Sequence, residues 1–338
     1  MPPVSEAPAR RALSVVIPAR DSAGTLGACL EAVFDSEYRD FEVVVVDDCS
    51  RDGTQGVVAG FPCRMVSGGA PRGPAAARNA GAREACGRVL MFIDSDIVVS
   101  RGALGRVAEL LTSGVCDAVV GMLDKDSAYG NLASFYKNAY MHYTYRILPP
   151  EMGVFYSSIA AITRDAFRGA GGFDEEYRDA CIEDTEFGGR IRARGYRMLL
   201  DKELVVRHLR HYRIRELLET GFRRTSGIVK IALRKLAGRS GSPMHLTSPR
   251  SFTAGIALSM LACAAALLSP VAGKALLPAA LVLVLTSLLL NAGFLTFVAR
   301  EGGLARGGFA IPLLIADQIA HGLGAIHGVI SYARGERY

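Results

Sequence analysis

The chain has 338 residues, of which 50% are hydrophobic and 21% charged, and it carries a net charge of +6. Twelve Lys or Arg residues lie between Lys202 and Arg250, directly before an almost continuously apolar stretch at 251–332. A basic stretch next to an apolar one favours anionic lipid headgroups over nucleic acid as a partner. Because the sequence contains no zinc-finger spacing or other nucleic-acid-binding motif, we expect no nucleic-acid partner.

The seven cysteines are scattered, with no Cys-x-x-Cys pair. An odd, unpatterned set argues for reduced thiols in the cytosol. The first twelve residues, MPPVSEAPARRA, lack the apolar region of a secretory signal. We therefore expect residues 1–250, which are long enough for a full core, to lie on the cytoplasmic side.

Buried strands and helices alternate in the first part of the chain. The runs LSVVIPARD, FEVVVVDD and RVLMFID predict strands, and helical patterns follow at 25–34, 73–85 and 102–111. The alternation predicts an α/β fold with a mainly parallel central sheet. Ligands bind at the carboxyl ends of the strands in such sheets. The acidic residues that follow predicted strands are Asp21, Asp47, Asp48, Asp94 and Asp96.

Residues 124–152 depart from this pattern because they are rich in aromatic residues. They predict either a helix and loop over the ligand site, facing an acceptor, or an amphipathic packing helix. The sequence favours neither.

The C-terminal part predicts membrane helices. Residues 252–272 and 275–299 are each long enough to cross a bilayer, which takes about 20 residues. A third candidate, 308–333, carries Asp317, Gln318, His321 and His327. The basic stretch at 211–250 predicts an interfacial amphipathic helix, or else a helix that packs on the preceding domain. The predicted divisions are a tail at 1–11, an α/β domain at 12–210, the basic segment at 211–250 and a membrane domain at 251–338.

The pair Asp94-x-Asp96 follows a buried strand. Two carboxylates at a strand end can ligate Mg²⁺ or Mn²⁺, which prefer oxygen ligands. The motif alone is weak, since Asp-x-Asp is also common in turns.

Three further polar positions have two interpretations each. Asp48 can bind a ribose or a base, or it can belong to a turn. Asp184, at a predicted helix start, can act as a general base or simply complement the helix dipole. His208, at a strand end, can be a metal ligand or a polar surface residue.

Taken together and in order, these motifs are far more specific than any one of them. The chain reads PARD, VDDCSRDGT, GPAAARNAG, FIDSD, GGFDE, EDTE, GY and VRH in sequence. This order resembles the family 2 inverting glycosyltransferases, and the resemblance covers roughly residues 12–210. It implies a GT-A fold and the binding of a nucleotide-diphosphate sugar.

The resemblance also implies roles for individual residues at the nucleotide. Pro18, Arg20 and Asp21 match the loop that lies against the nucleotide. Asp48 matches the carboxylate that contacts the base, and Arg78 matches a basic residue near the nucleotide.

The remaining matches concern the metal and the chemistry. Asp94 matches the first Asp of the Asp-x-Asp motif, near the ribose and the metal. Asp96 matches the metal ligand, and His208 matches a late histidine that helps to hold metal or diphosphate. Asp184 matches the catalytic base. The expected cofactor is Mg²⁺ or Mn²⁺.

Two departures from the family pattern narrow the expected function. The first loop, PARD, has no aromatic residue for base stacking, and the Gln-x-x-Arg-Trp motif of processive synthases is absent from a sequence with no Trp. We expect one inverting, hexosyltransferase-type transfer per encounter, to a hydroxyl or phosphate of a lipid-linked or membrane glycan acceptor. The alternatives are a metal-dependent nucleotidyltransferase and an inactive membrane-anchored binding protein. The charge distribution predicts a multi-pass protein of the cell (inner) membrane with its catalytic domain in the cytoplasm.

Overall fold

The computed structural model describes residues 11–177, 182–238 and 247–336. In these residues eight strands form one sheet with the order β3-β2-β1-β4-β7-β6-β8-β5. The strands are β1 (Leu13–Ala19), β2 (Phe41–Asp47), β3 (Arg64–Ser67), β4 (Val89–Ile93), β5 (Ile97–Val98), β6 (Ala118–Leu123), β7 (Ile159–Thr163) and β8 (Met198–His208). The helices are α1 (Leu26–Phe34), α2 (Thr54–Val58), α3 (Pro74–Glu84), α4 (Ala103–Thr112), α5 (Leu132–Ile147), α6 (Arg164–Ala170), α7 (Glu183–Ala193), α8 (Ile214–Leu236), α9 (Arg250–Ala272), α10 (Leu276–Leu290) and α11 (Ala292–Ala333).

The predicted α/β fold with a mainly parallel sheet is confirmed. β1 pairs in parallel with both β2 and β4, β2 with β3, and β6 with β8. β7 runs antiparallel between β4 and β6, and the short β5 pairs antiparallel with the end of β8. The carboxyl ends of β1, β2 and β4 therefore share one edge of the sheet.

Helices α1 and α3 form where the sequence predicts them, and their apolar, proline and glycine positions account for how they begin and pack. The apolar positions of α1, at Leu26, Cys29, Leu30 and Val33, are all buried. Helix α3 begins with Pro74, whose fixed φ suits the first turn. A Cβ at Gly81 would lie 2.4 Å from Val16 Cγ1, so this glycine permits the close approach of α3 to β1.

The described residues form two compact units. The first comprises 11–123, 149–177 and 182–209, and it contains the sheet. The second comprises 124–148, 210–238 and 247–336, and it is helical. The chain thus leaves the first unit after β6, forms α5 in the second unit, and returns before β7.

For α5, the interpretation as a packing helix is confirmed. The ring centroids of Tyr136 and Phe294 lie 5.5 Å apart, and those of Tyr140 and Phe252 lie 4.9 Å apart. These aromatic residues join α5 to α9 and α11 in the core of the second unit.

Helix α8 packs lengthwise against the second half of α11. A Cβ at Gly324 would lie 2.3 Å from the carbonyl oxygen of Phe222, and one at Gly328 would lie 2.6 Å from that of Ser226. Small residues of α11 thus bring the two backbones close, as they do between membrane helices. The structure therefore shows which face of α8 packs against α11. A contact between α8 and anionic lipid stays a prediction.

Among the residues that the structure describes, two helices, α9 and α11, are long and apolar enough to cross a membrane. The second predicted span differs from the expectation of one helix at 275–299. Helix α10 has 15 residues and ends at Asn291, whose side chain donates to the carbonyl oxygens of Ser287 and Ser251. At 1.5 Å per residue, α10 is about 22 Å long, less than the roughly 30 Å hydrocarbon core.

The third predicted span lies within α11, which has a non-helical backbone at Gly303 (φ 83°, ψ 166°). Its polar side chains face other helices of the unit: Gln318 accepts from Ser259 and Ser287, and His327 bonds to Ser226.

Candidate active site

The loops after β1 and β2 are tied together at the carboxyl edge of the sheet. Asp21 Oδ1 accepts from the backbone N–H of Arg51 at 2.7 Å, and the N–H of Asp21 donates to Ser50 Oγ at 2.9 Å. Asp21 (φ 49°) and Cys49 (φ 63°) both have left-handed backbone conformations, which are uncommon outside glycine. Such positions concentrate at functional sites.

Asp48 holds the turn before α3 by two hydrogen bonds from backbone N–H groups. Its two oxygens accept from the backbone N–H groups of Arg72 at 2.8 Å and Gly73 at 3.0 Å. Arg20 Nη1 lies 3.9 Å from Asp48 Oδ2. Asp48 therefore shapes this loop directly, whereas its predicted contact with a base stays a prediction.

Arg78 is the centre of a buried ionic triad. Its guanidinium donates to Asp94 Oδ1 at 2.8 Å and to Glu183 Oε1 at 2.9 Å. The side chains of Arg78 and Glu183 are only 4% and 5% exposed. The triad joins the start of α7 to the end of β4, which fixes both elements around one cation.

Asp94 is satisfied by the protein itself. In addition to Arg78, the hydroxyl of Ser158 donates to Asp94 Oδ2. Burial alone would raise the pKa of Asp94, but Arg78 and then the Ser158 hydrogen bond hold it below its usual value. Asp94 is thus an ionised carboxylate with a protein partner on each oxygen.

Asp96 differs from Asp94 because one of its carboxylate oxygens has no hydrogen-bond partner among the described residues. Oδ2 lies 3.2 Å from Nε2 of His208, whereas the buried Oδ1 has no hydrogen-bond partner among the described residues. The pairing of Ile97 with His208 in the sheet holds the two side chains together. An unpartnered buried carboxylate oxygen is costly unless a cation or donor occupies the position beside it.

The residues at this position fit a divalent metal ion bound together with substrate oxygens. Asp96 would hold such an ion through the unpartnered Oδ1, and the neighbouring imidazole of His208 could be a second ligand. Within the described ranges, no group of three or more His, Cys, Asp or Glu side chains forms a ready-made metal site. Mg²⁺ is usually bound by one or two carboxylates and the substrate phosphates, so two protein ligands suffice.

Asp184 lies in the first turn of α7, as predicted, and is buried. Its Oδ1 accepts from the hydroxyl of Thr185 at 3.1 Å. The neighbouring Glu183 is held by Arg78. The triad thereby fixes the helix start that carries Asp184.

The structure brings six of the predicted site residues together in three pairs: Arg20 with Asp48, Arg78 with Asp94, and Asp96 with His208. Pro18 lies in β1, in register with Val46 of β2. Roles for these residues toward a substrate stay predictions.

Sequence reasoning missed Glu183 and Ser158 as partners in this network. The position of Glu183 beside Asp184 in the EDTE motif was a usable signal. Ser158 belongs to no motif that we recognised.

Known proteins resemble this chain in sequence and in fold. Residues 14–170 match the glycosyl transferase family 2 model. The succinoglycan biosynthesis protein ExoO of Rhizobium meliloti is 35% identical over 130 residues, 38% of this chain and 37% of that protein. The UDP-Glc:alpha-D-GlcNAc-diphosphoundecaprenol beta-1,3-glucosyltransferase WfgD of Escherichia coli is 31% identical over 87 residues, 25% of this chain and 34% of that protein.

Among solved structures, the mannosyltransferase PcManGT from Pyrobaculum calidifontis, in complex with GDP-Man and Mn²⁺, aligns with a TM-score of 0.57 and 21% identity. The alignment covers 97% of this chain and 88% of that one. The first unit thus has a GT-A-like α/β fold, and residues 14–170 of the chain are similar to the glycosyl transferase family 2 model. The matches to ExoO and WfgD span less than two thirds of those proteins.

Proposed function

We propose that the protein transfers one sugar from a nucleotide-diphosphate sugar to an acceptor, with inversion at the anomeric carbon. The observation that carries this proposal is the buried, unpartnered Oδ1 of Asp96 beside His208 at the strand end. In a family 2 glycosyltransferase domain, such an oxygen suits a divalent ion that also contacts the donor's phosphates. Mg²⁺ or Mn²⁺ bound there would neutralise charge on the departing diphosphate.

Asp184 is the proposed general base. Its carboxylate accepts the proton of the acceptor hydroxyl while the acceptor oxygen forms a bond to the anomeric carbon. The bond from that carbon to the diphosphate breaks at the same time, and the nucleoside diphosphate takes the electron pair. Attack opposite the leaving group inverts the configuration. The Arg78 triad supports this role because it anchors the helix start that carries Asp184.

Pro18, Arg20, Asp21 and Asp48 are proposed to surround the nucleotide. Pro18 lies near the end of β1, and the other three lie on the loops that follow β1 and β2, which are hydrogen-bonded to each other. Arg78 is proposed to act near the nucleotide by positioning Asp94.

The proposed acceptor is a hydroxyl or phosphate of a lipid-linked or membrane glycan. Two helices apolar enough to span a membrane support this choice, as does the diphosphoundecaprenol acceptor in the name of WfgD. We further propose that the protein is a multi-pass protein of the cell (inner) membrane with a cytoplasmic catalytic domain. The basic residues before α9 support that orientation, because basic segments remain on the cytoplasmic side.

The proposal is tested with full-length protein in detergent, a panel of UDP-, GDP- and dTDP-sugars, and added Mg²⁺ or Mn²⁺. We expect release of free nucleoside diphosphate with one donor. Release of a sugar 1-phosphate, with transfer of the nucleoside monophosphate, would instead identify a nucleotidyltransferase. NMR of the product's anomeric proton, compared with that of the donor, decides between inversion and retention.

The decisive variant is Asp96→Asn, which keeps the shape but weakens the metal-binding oxygen. We expect transfer to fall by at least about 10²-fold, the usual scale for loss of one electrostatic contact to the transition state. The matched control is Asp35→Asn, a carboxylate that is exposed and pairs with Arg101, which should leave the rate unchanged. Full activity of Asp96→Asn after EDTA treatment would refute the proposed metal role.

A further inference from the structure

Helix α8 and the second half of α11, residues 304–333, run side by side in the same direction. A Cβ at Gly324 would press on the carbonyl oxygen of Phe222. Further along both helices, the hydroxyl of Tyr332 donates to the carbonyl oxygen of Leu233 at 3.4 Å. The contacts thus advance together over more than two turns. Any orientation to a bilayer that holds for one of these helices therefore holds for the other.

Helix α8 is too charged to lie in a hydrocarbon core. Its 23 residues include six basic and two acidic ones. Exposed charges occur in the first turn at Arg215, in the middle at Arg223 and in the last turn at Lys235. A span needs about 20 mainly apolar residues, and each charge in the core is costly. Length and composition alone would let α11 cross a membrane, but its second half is tied to a helix that does not fit there.

Helix α9 crosses the second half of α11 at a steep angle. The ring centroids of Phe252 and His321 lie 5.2 Å apart. A Cβ at Gly322 would meet the side chain of Met260. Between these two contacts α9 rises by about 12 Å, whereas the partners on α11 are adjacent residues. Helices that ran alongside each other would advance together, as α8 and α11 do. When α9 enters a bilayer, the second half of α11 therefore lies closer to its plane.

Beyond this crossing, α9 and α10 form an apolar hairpin. From Met260 to the turn at Gly273, α9 extends for about 20 Å. Between residues 252 and 299, only Lys274 at that turn is charged. The exposed apolar side chains of the hairpin include Leu261, Leu267, Leu268, Val271, Leu277, Leu281, Val282 and Leu285. The hairpin thus has the surface of a segment immersed in lipid.

The second half of α11 has an exposed apolar stripe of its own. Leu323, Ile326 and Ile330 are each 45–49% exposed, and their spacing of three and then four residues puts them on one helix face. The neighbouring α8 has a net charge of +4, from its six basic and two acidic residues. An apolar face beside basic residues suits the surface of a membrane that contains anionic lipid.

We propose that α8 and residues 304–333 lie together in the lipid–water interface, with the stripe toward the acyl chains. Among the described helices, the α9–α10 hairpin is then the part that enters the hydrocarbon core. Because the hairpin enters and returns, Arg334 stays on the side of the membrane from which α9 enters. This agrees with the tendency of basic residues near spans to remain on the cytoplasmic side. The inference rests on the proposed membrane location and is independent of the proposed transfer chemistry.

The chain contains no Trp, so a single introduced Trp reports its own depth. The variants Leu323→Trp, Ile326→Trp and Ile330→Trp of the full-length protein are placed in bilayers of phosphatidylcholine and phosphatidylglycerol. Fluorescence quenching is measured with lipids brominated at shallow or deep acyl positions. We expect all three variants to be quenched more by the shallow bromines and to report one common depth. A spanning helix would instead change depth by about 10 Å between positions 323 and 330.

Two exposed positions provide the matched controls. Leu267→Trp, on the hairpin, should be quenched more by the deep bromines. Val115→Trp, in the first unit, should be quenched by neither lipid.

A steady change of depth from position 323 to position 330 would overturn the proposal. Absence of quenching at all three positions would also overturn it, and is the result expected if a second copy of the chain covered the stripe. If one of the three variants fails to fold, the other two make the same comparison. Absence of quenching at Leu267→Trp would overturn the proposed membrane location as well. Donor cleavage, measured on the same samples, separates these outcomes from failure of the proposed transfer function.

Discussion

The two units place their charged side chains differently. In the first unit, carboxylates gather at the carboxyl edge of a sheet, where Arg78 and Ser158 satisfy Asp94 and leave an oxygen of Asp96 without a partner. In the second, the hydroxyl of Tyr136 donates to Asp317 Oδ2, and Nε2 of His321 lies 3.6 Å from Asp317 Oδ1, so both oxygens have protein partners between helices. Asp94 and Asp317 are thus held entirely by their own units, whereas Asp96 keeps one buried oxygen without a partner among the described residues. The comparison teaches that burial alone does not mark a binding carboxylate; an oxygen that the protein leaves unsatisfied does.

The largest effect is expected from breaking the buried triad of the first unit. Arg78→Met leaves Asp94 and Glu183 without their shared cation. Removing one member of a buried ion pair typically costs about 3–5 kcal/mol. Chemical denaturation of the full-length protein, followed by circular dichroism, measures the loss in unfolding free energy.

Arg83→Met is the matched control, since Arg83 is on the same helix but its side chain is 59% exposed. Its pairing with Glu175 should contribute little, as exposed pairs do. The double variant Arg78→Met/Glu183→Gln should recover part of the stability by removing one unpaired charge. Equal losses for Arg78→Met and Arg83→Met would show that the triad is no stronger than a surface contact.

The second-largest effect is expected on the rate of sugar transfer when Asp184 of the first unit is changed. Asp184→Asn keeps the side-chain shape in the first turn of α7, but an amide cannot accept the acceptor's proton. We expect the rate to fall by roughly 10²-fold or more, the scale of general-base loss. Donor affinity, measured by calorimetry, should change little. Normal turnover with normal binding would reduce Asp184 to a carboxylate that only complements the helix dipole.

Much of the first unit could be predicted from sequence because its signals are local. The periodicity of α1 and the apolar runs of β1, β2 and β4 mark their elements within a few residues. The Asp94–Asp96 pair is equally visible. Its asymmetry is not, because Arg78, Ser158 and Glu183 are separated from Asp94 by 16 to 89 residues and meet it only through the fold.

The second unit was harder to predict because apolar composition does not define where a helix ends. The run at 275–299 reads as one span, yet Asn291 divides it by turning its amide toward the carbonyls of two helices. Helix α5 belongs to this unit although it lies in sequence between two strands of the sheet. No local pattern distinguishes those cases from a simple span or a loop over a site.

A smaller effect on stability is expected from two Gly→Ala variants of α11, one at a tightly packed position and one with open space around it. Gly324→Ala places a Cβ 2.3 Å from the carbonyl oxygen of Phe222, so α8 and α11 must separate. Overpacking of this kind costs about 1–3 kcal/mol. Gly308→Ala on the same helix meets nothing within 4 Å and should stabilise by about 0.5–1 kcal/mol, the helix preference of Ala over Gly. Unfolding midpoints in detergent that move in the same direction for both would contradict the close contact.

The smallest effect is expected at Gln318, the neutral counterpart of Arg78 in the second unit. Its Oε1 accepts from Ser259 at 2.7 Å and Ser287 at 2.8 Å, so one amide joins three helices.

Gln318→Met loses both hydrogen bonds, which contribute about 0.6 kcal/mol each between membrane helices. The freed hydroxyls can bond to carbonyls of their own helices, and the substitution also removes an Nε2 that is buried without a partner among the described residues. These gains offset the loss, and we expect a net change below about 1 kcal/mol in the unfolding free energy in detergent. Ser287→Ala, which removes one donor and keeps the amide, should cost a similar amount. A loss above about 2 kcal/mol for Gln318→Met would exceed what its two hydrogen bonds supply, and would make this neutral contact as important to its unit as the charged triad is to the other.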